Sequence, residues 1–330
     1  MLKAKTFGTI TALFFFLMPI AAFAQTTWTM PTAFPDTNFH TRNDKQFAEE
    51  VAKETQGKLI INVVSNGVLL KLSEMKRGVQ TGQVQLGESF IGTMANEAPI
   101  FYVDSIPFLN SNPQEAKALW AAARPLIEAR LDKQNIHVLY SVAWPAQGLY
   151  TKKPVNSLND FKGLKFRASS SSIADFAKQI GAMPTVVQAS DVPQAFLTGQ
   201  IDAMLTSSTT GVDTQAWDFV SYFYNVPTLF PQNIVLVNKK VWEALDPETR
   251  KIVTAAAARA EERGWQLGIE ENELNIEKLR KNKMNVSAVN SKLNEEFHKI
   301  GGEMADSWLS KLTEQERAVL MPTIKRNRGN

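Results

Sequence analysis

The stretch Asp160-Phe161-Lys162-Gly163-Leu164-Lys165-Phe166-Arg167 predicts a turn that leads into a short strand, and the strand ends on an arginine. The polar run of residues 168–172 follows directly. A guanidinium group is planar and always charged, and its paired N–H donors match a carboxylate, whereas lysine acts as a point charge. An isolated arginine is more often a solvated surface charge. Arg167 is therefore a candidate carboxylate ligand, and its role depends on the fold around it.

The sequence on both sides of this stretch alternates between strand and helix patterns. Apolar runs predict strands over residues 27–30, 59–64, 84–86, 136–142, 184–187, 201–206 and 234–237. Helical spacing predicts helices from Phe39 to Gly57 and over residues 71–81, 173–180, 192–198 and 248–281. This alternation predicts an α/β fold with mainly parallel sheets, whose ligands gather beyond the carboxyl ends of the strands.

The first 24 residues have the features of a secretory signal. Lys3 and Lys5 precede an apolar stretch over residues 10–20, and Ala22-Phe23-Ala24 provides the small residues that a signal peptidase needs. The apolar stretch is shorter than the ~20 residues of a membrane-spanning helix. We therefore expect residues 1–24 to be removed and the mature protein to be exported to the periplasm.

Composition limits the possible partners. The chain has no cysteine, which excludes disulfides and a lipid attached through a terminal cysteine. Removal of Lys3 and Lys5 reduces the 36 basic residues to 34, against 33 acidic ones, so the net charge falls from +3 to +1. A nearly neutral protein gives no electrostatic support for binding nucleic acid or an anionic membrane. The remaining length suits two domains of roughly 150 residues each.

The sequence contains no recognisable catalytic or metal-binding motif. His40, His137 and His298 lie far apart, without the spacing of metal ligands. No G-x-S-x-G, G-x-G-x-x-G or P-loop sequence occurs. We therefore expect a protein without cofactor or metal that is not an enzyme.

Residues at the predicted strand ends are candidates for a ligand cleft. Glu88 and Phe90 follow the predicted strand 84–86, and Phe39 and His40 lie near the start of the first predicted helix. Hydroxyl groups cluster beyond the strand 201–206, which suits hydrogen bonding to a small polar ligand. The members of that cluster chosen as candidates are Thr206, Ser207 and Ser208.

Several short segments occur in the order typical of one protein family. They are Phe47-Ala48-Glu49 with Gly57-Lys58-Leu59, Gly87-Glu88-Ser89, Ile106-Pro107-Phe108-Leu109, residues 160–167, Gly181-Ala182-Met183-Pro184-Thr185, and Val237-Asn238-Lys239 with Trp242. In this combination the chain resembles the DctP-like solute-binding proteins of tripartite ATP-independent periplasmic (TRAP) transporters. The resemblance implies a two-lobed periplasmic binding protein fold, type II-like, with long C-terminal helices. In similar proteins the arginine matching Arg167 forms a salt bridge with the solute carboxylate, and the lobes close on it.

The resemblance also implies an arrangement of the chain and its partners. Residues 25–143 would form the first part of lobe I, residues 144–232 the main part of lobe II, and residues 233–330 a returning strand and C-terminal helices that pack on both lobes. The closed receptor would deliver its solute to membrane permease subunits. We expect it to act as a monomer.

Two departures from sialate-binding members of that family bear on the solute. Gln147 stands where those members have a second arginine, and Asp202-Ala203-Met204-Leu205-Thr206 replaces an Asp-Gly-x-Glu-Asn segment. Without the second cation, a second buried carboxylate would be costly, so a monocarboxylate is favoured, including hydroxy, keto and aromatic acids. Gln147 and the hydroxyls of residues 206–208 would hydrogen-bond the ligand.

Aromatic residues near the predicted cleft suggest an apolar wall. Phe39, Phe90, Trp144, Tyr150 and Trp217 lie in or beside the loops that similar proteins direct at the solute. Flat walls favour a bulky or aromatic acid, which Phe90 or Trp144 would cover. The alternative is that at least three of the five fill the core.

Three other functions remain open from the sequence. The chain could be the receptor of an ATP-driven importer, which the segments 160–167 and 181–185 disfavour. It could be a secreted enzyme acting on a small carboxylate, with Glu88 or His40 as acid or base. It could also serve a membrane sensor instead of a transporter.

Overall fold

A computed structural model of the protein describes residues 25–327, so the predicted signal segment 1–24 lies outside the described residues. The strands are β1 (Thr26–Pro31), β2 (Leu59–Val64), β3 (Leu86–Phe90), β4 (Ile136–Ala143), β5 (Gln147–Thr151), β6 (Lys165–Ala168), β7 (Met183–Val186), β8 (Ala203–Ser207), β9 (Tyr222–Tyr224), β10 (Gln232–Asn238) and β11 (Asn285–Ser287). The helices are α1 (Phe39–Glu54), α2 (Met75–Thr81), α3 (Pro113–Asp132), α4 (Ser171–Gln179), α5 (Val192–Leu197), α6 (Ser208–Asp213), α7 (Lys239–Glu243), α8 (Pro247–Lys281), α9 (Ser291–Lys311) and α10 (Glu314–Asn327).

The strands pair in three sets. β1 pairs with β2, β10 lies between β3 and β4, and a six-stranded sheet has the order β11-β9-β5-β8-β6-β7. In the six-stranded sheet only β5 runs against the other strands, and β10 runs against both β3 and β4. The predicted α/β class, with mainly parallel sheets between helices and long C-terminal helices, is confirmed.

The chain enters each of the two reversed strands, β5 and β10, directly after it passes between the three-stranded and six-stranded sheets. It leaves β4 through residues 144–146 to begin β5, and it leaves β9 through residues 225–231 to begin β10. The first two crossings between the three-stranded and six-stranded sheets thus each end on a strand that opposes its neighbours. A third crossing, through α7 and α8, leads from β10 to β11, which is parallel to its neighbour β9.

Helices α8 and α9 pack on both sets of sheets. Along α8, Val253 lies in the core beside β1 and β4, whereas Leu279 packs with residues of the six-stranded sheet. Along α9, Phe297 is buried against the six-stranded sheet, and Trp308 donates from Nε1 to the Pro99 carbonyl at 2.7 Å in the other half. These two helices thus connect the two halves in addition to the segments that join β4 to β5 and β9 to β10.

Helix α1 begins where the sequence predicts. The side chain of Asn38 accepts a hydrogen bond from the backbone N–H of His40 at 2.9 Å, as an N-cap residue does. The helix ends at Glu54, and the glycine predicted to end it, Gly57, follows with a positive φ of 78°. The predicted helix over residues 248–281 is also confirmed, as the single helix α8.

The strand predicted over residues 84–86 lies further along the chain in the structure. β3 includes Glu88, which pairs with Val235, and Phe90, which pairs with Asn233. Gly87 and Glu88 have low strand propensity, so the apolar pattern predicted that the strand ends at Leu86. Pairing with β10, a strand about 150 residues away, overrides that preference and buries the whole of β3.

Replacement of Phe297 by alanine tests the packing of α9 on the six-stranded sheet. Phe297 is 2% exposed, and its ring lies 5.6 Å from Phe176 and 5.8 Å from Phe161. Phe297→Ala should lower the free energy of unfolding in urea by about 3–5 kcal/mol because it leaves a cavity. Lys299→Ala, at an exposed position of the same helix, should change it by less than about 0.5 kcal/mol. Equal effects of the two substitutions would contradict this packing.

Candidate functional site

A small cavity lies where the two halves of the molecule meet, at the carboxyl ends of several strands. Its volume is about 60 Å³. The ends of β1, β3, β4, β6, β7 and β8 and the starts of β5 and β10 contribute its lining, as expected for an α/β fold. The lining residues are Phe34, Leu72, Phe90, Trp144, Gln147, Arg167, Ser169, Ala189, Thr206, Thr210, Pro231 and Asn233.

Arg167 gives this cavity a buried positive charge. The residue is 4% exposed and lies in β6, and its Nε donates to the carbonyl oxygen of Val187 at 3.0 Å. Among residues 25–327, no carboxylate forms an ion pair with Arg167, and no protein acceptor takes a hydrogen bond from its terminal nitrogens. Burial lowers the pKa of the guanidinium to about 10. The cavity therefore presents a cation whose remaining N–H donors are available to an anion.

Two predicted polar residues lie beside Arg167 in the cavity. Gln147 is 4% exposed, and its Nε2 donates to the Pro145 carbonyl at 3.2 Å. Thr206 is equally buried, at the end of β8. Both can hydrogen-bond a ligand without adding charge, so the polar surface around Arg167 is neutral.

The neighbouring serines point elsewhere. Ser207 caps α6, where its Oγ accepts from the Thr210 backbone N–H at 3.1 Å. Ser208 donates to Asn272 Oδ1 of α8 at 3.0 Å. The hydroxyl residues of this segment that do line the cavity are Thr206 and Thr210.

Aromatic side chains form the apolar walls of the cavity. Phe34 and Trp144 are packed edge to face with ring centroids 4.8 Å apart, and Phe90 also lines the cavity. Phe39 is fully buried behind them, with its ring 5.7 Å from Trp144. Tyr150 is also fully buried and donates to the Ser207 carbonyl at 3.0 Å.

Glu88 lies directly behind the cavity wall. Its Oε2 accepts from the Thr32 hydroxyl at 2.6 Å, and its Oε1 accepts from Asn233 Nδ2 at 2.8 Å. His40 Nδ1 lies 3.0 Å from the same Oε1. Burial would raise the pKa of Glu88, but the charge of His40 and these hydrogen bonds outweigh it and lower the pKa. Glu88 and His40 are absent from the cavity lining and form a buried polar group that supports it.

Asn233 is a cavity residue that sequence reasoning missed. It lies next to the predicted strand 234–237, and its Oδ1 accepts from the indole Nε1 of Trp144 at 2.9 Å. The only local signal is a pair of amides, Gln232 and Asn233, at the start of an apolar strand. Ser169 and Thr210 were also missed, although both belong to polar runs that follow predicted strands.

A larger surface cleft of about 460 Å³ lies between α4 and α9. Its charged residues carry both signs and include Asp175, Lys178, Glu303 and Lys311. All four are wholly or partly exposed, so none is a buried charge that requires a ligand. The smaller cavity at Arg167 is therefore the candidate site.

Comparisons with known proteins identify relatives of the chain. The family model described as bacterial extracellular solute-binding protein, family 7 (DctP), matches residues 32–312. The crystal structure of DctP7, a Bordetella pertussis extracytoplasmic solute receptor that binds pyroglutamic acid, is 46% identical and has a TM-score of 0.89. The match covers 91% of this chain and 99% of that one.

Two further relatives show the range of the likeness. A TRAP solute-binding protein of an unidentified marine microbe, specific for pyroglutamate, is 36% identical over 92% of this chain and 99% of that one, with a TM-score of 0.89. The C4-dicarboxylate-binding periplasmic protein DctP of Rhodobacter capsulatus is 25% identical over 81% of this chain and 78% of its own length.

These findings confirm the predicted family resemblance. In the described part of the chain, from Gln25 to Asn327, no helix has the length and apolar character that membrane crossing requires. The matched range, residues 32–312, includes strands β2 to β11 and all the residues that line the cavity. The chain belongs to bacterial extracellular solute-binding protein family 7, the DctP family of TRAP solute receptors.

Proposed function

We propose that this protein binds pyroglutamate, or a closely related cyclic monocarboxylate, as the periplasmic receptor of a TRAP transporter. The observation that carries the proposal is the buried Arg167, which has no carboxylate partner among the described residues and faces a small cavity with a neutral polar lining. The anionic ligand would supply the missing negative charge.

The chemistry of pyroglutamate matches the types of side chain in the cavity. Its carboxylate would pair with the two terminal nitrogens of Arg167. Its lactam has one N–H donor and one carbonyl acceptor, which suit the amides of Gln147 and Asn233 and the hydroxyl of Thr206. Its flat five-membered ring would lie against the apolar wall that Phe34 and Trp144 form together.

The neutral lining also favours a single carboxylate. A dicarboxylate would place its second charge in a cavity whose only charged lining residue is Arg167. Burying a charge without a partner is costly. The two pyroglutamate-binding relatives at 46% and 36% identity support the same choice, and the C4-dicarboxylate-binding relative is more distant at 25%.

Closure of two lobes would enclose the ligand. The proposed lobe II, residues 144–232, lies between the first two crossings of the chain, and lobe I consists of residues 25–143 with the returning β10. Direct contacts join the halves: Asn38 Nδ2 donates to Asp213 Oδ2 at 2.8 Å, and the Tyr102 hydroxyl donates to Ser171 Oγ at 2.9 Å. Such contacts exist only when the halves are together, so ligand contacts from both halves would favour the closed form.

The remaining parts of the proposal concern the partners. The signal segment 1–24 would be cleaved, and the closed receptor would act as a monomer that delivers its ligand to membrane permease subunits. Catalysis is not part of the proposal, because the two candidate acid–base residues, Glu88 and His40, are buried behind the cavity lining.

Replacement of Arg167 by lysine tests the proposed salt bridge. Lysine keeps the charge but loses the planar pair of donors, so the affinity for pyroglutamate in isothermal titration calorimetry should fall by about 10- to 100-fold. Arg280→Lys, at a half-exposed position of α8, is the matched control and should leave the affinity unchanged. Wild-type affinity in Arg167→Lys would contradict the two-pronged contact.

Replacement of Arg167 by methionine should separate stability from binding. The empty protein buries an unpaired cation, so Arg167→Met should raise its free energy of unfolding by about 1 kcal/mol. Pyroglutamate at 100 times its dissociation constant should stabilise the wild type by about 2.7 kcal/mol and should not stabilise Arg167→Met. Thermal unfolding with and without ligand measures both effects. A less stable variant that still responds to pyroglutamate would refute this account of Arg167.

A further inference from the structure

The amide of Asn233 is held in one orientation by two different partners. Its Nδ2 donates to Glu88 Oε1 at 2.8 Å, and its Oδ1 accepts from Trp144 Nε1 at 2.9 Å. An ionised carboxylate can only accept hydrogen bonds, and an indole N–H can only donate one. In a flipped amide, the oxygen would face the Glu88 carboxylate, so two acceptors would meet. The NH2 group would face the Trp144 N–H, so two donors would meet. The two partners therefore determine which end of the amide is oxygen and which is nitrogen.

The carboxyl group of Glu88 is itself held in place by buried neighbours. Both of its oxygens accept hydrogen bonds, from Thr32 and from Asn233, and His40 Nδ1 lies 3.0 Å from Oε1. Asp44, another fully buried acid of this core, accepts from Tyr140 at 2.6 Å. Burial raises the pKa of Asp44 well above its usual range, and the charge of Glu88 raises it further.

Asn233 retains hydrogen-bonding capacity after these contacts. A carboxamide has two N–H donors and an oxygen with two lone pairs, so one N–H and one lone pair remain after Glu88 and Trp144 have each taken one. Asn233 lines the cavity and is 2% exposed, so a ligand group that fails to pair with the free donor would leave it buried and unsatisfied.

We infer that Glu88 is a positioning residue for ligand selectivity, which acts by holding the Asn233 amide in the orientation that pairs with the lactam edge of the ligand. The inference rests on the proposed function. Glu88 would then make the cavity prefer a cyclic acid with an amide edge over a carbocyclic acid of the same size. A site built to hydrogen-bond a ligand rejects an analogue that lacks the matching group, because its own polar groups are left unpaired.

Titration with two acids of equal ring size tests this inference. L-pyroglutamate has the lactam, and cyclopentanecarboxylate has the same ring size and carboxylate without it. We expect the wild type to prefer pyroglutamate by about 10-fold or more. Glu88→Met removes the acceptor at similar volume and should reduce that preference about 10-fold, chiefly through weaker pyroglutamate binding. Glu88→Gln keeps a carbonyl acceptor, and Thr32 can accept from its new amide, so it should retain more of the preference than Glu88→Met does.

A matched control and a second variant complete the experiment. Glu316→Gln changes another buried acid, which pairs with Arg130 away from the cavity, and it should leave the preference unchanged. If Glu88→Met does not fold, Trp144→Phe decides the question, because it removes the other partner of Asn233 and keeps an aromatic wall. That variant should also lose the preference.

The possible outcomes separate the two proposals. A wild type that binds no pyroglutamate overturns the proposed function. Tight wild-type binding with an unchanged preference in Glu88→Met overturns only the role of Glu88. Equal weakening of both acids in Glu88→Met also overturns that role, because it shows that Glu88 supports the scaffold without setting selectivity.

Discussion

Arg167 places a positive charge in the interior of this protein without a carboxylate partner among the described residues. The other residues of the cavity surround that charge. Burial disfavours the charged guanidinium and lowers its pKa to about 10, so the empty cavity is electrostatically incomplete. An organic anion completes it. Strands of the three-stranded and six-stranded sheets bring neutral amides, hydroxyls and aromatic rings around this cation, and the proposal of a small acid with a single charge rests on that lining.

The two amides of the cavity lie where the chain crosses between the sheets. Gln147 begins β5 directly after the first crossing, and Asn233 lies at the start of β10 after the second. Any relative movement of the halves must change the backbone in these connections, so a ligand held by both amides would contact the segments that bend. Behind Asn233, the buried group of Glu88, Thr32 and His40 belongs to the proposed lobe I and would orient this amide. Ligand recognition and closure of the two lobes would therefore depend on the same strands, β5 and β10.

The sequence predicted the elements that depend on local pattern and missed those that depend on distant pairing. The start of α1 at Phe39 and the helix α8 follow from helical spacing and composition, and both were predicted correctly. Glu88 was expected to line the cleft, but β10 extends β3 through that residue and leaves it behind the wall. The only local signal for Asn233 is the amide pair that it forms with Gln232, because its position depends on Trp144 and Glu88, which are far from it in the chain. Arg167, Gln147, Thr206, Phe90 and Trp144 were all expected at a ligand site, and the structure brings them to one cavity; their contact with a ligand remains a prediction.

A crystal structure of the protein with pyroglutamate is the most direct test of the central claim. The account predicts the carboxylate within hydrogen-bond distance of both terminal nitrogens of Arg167, with the ring against the wall of Phe34 and Trp144 and the lactam edge against Asn233. A structure in which the bound acid lies outside this cavity, or in which the guanidinium contacts only protein and water, would contradict it.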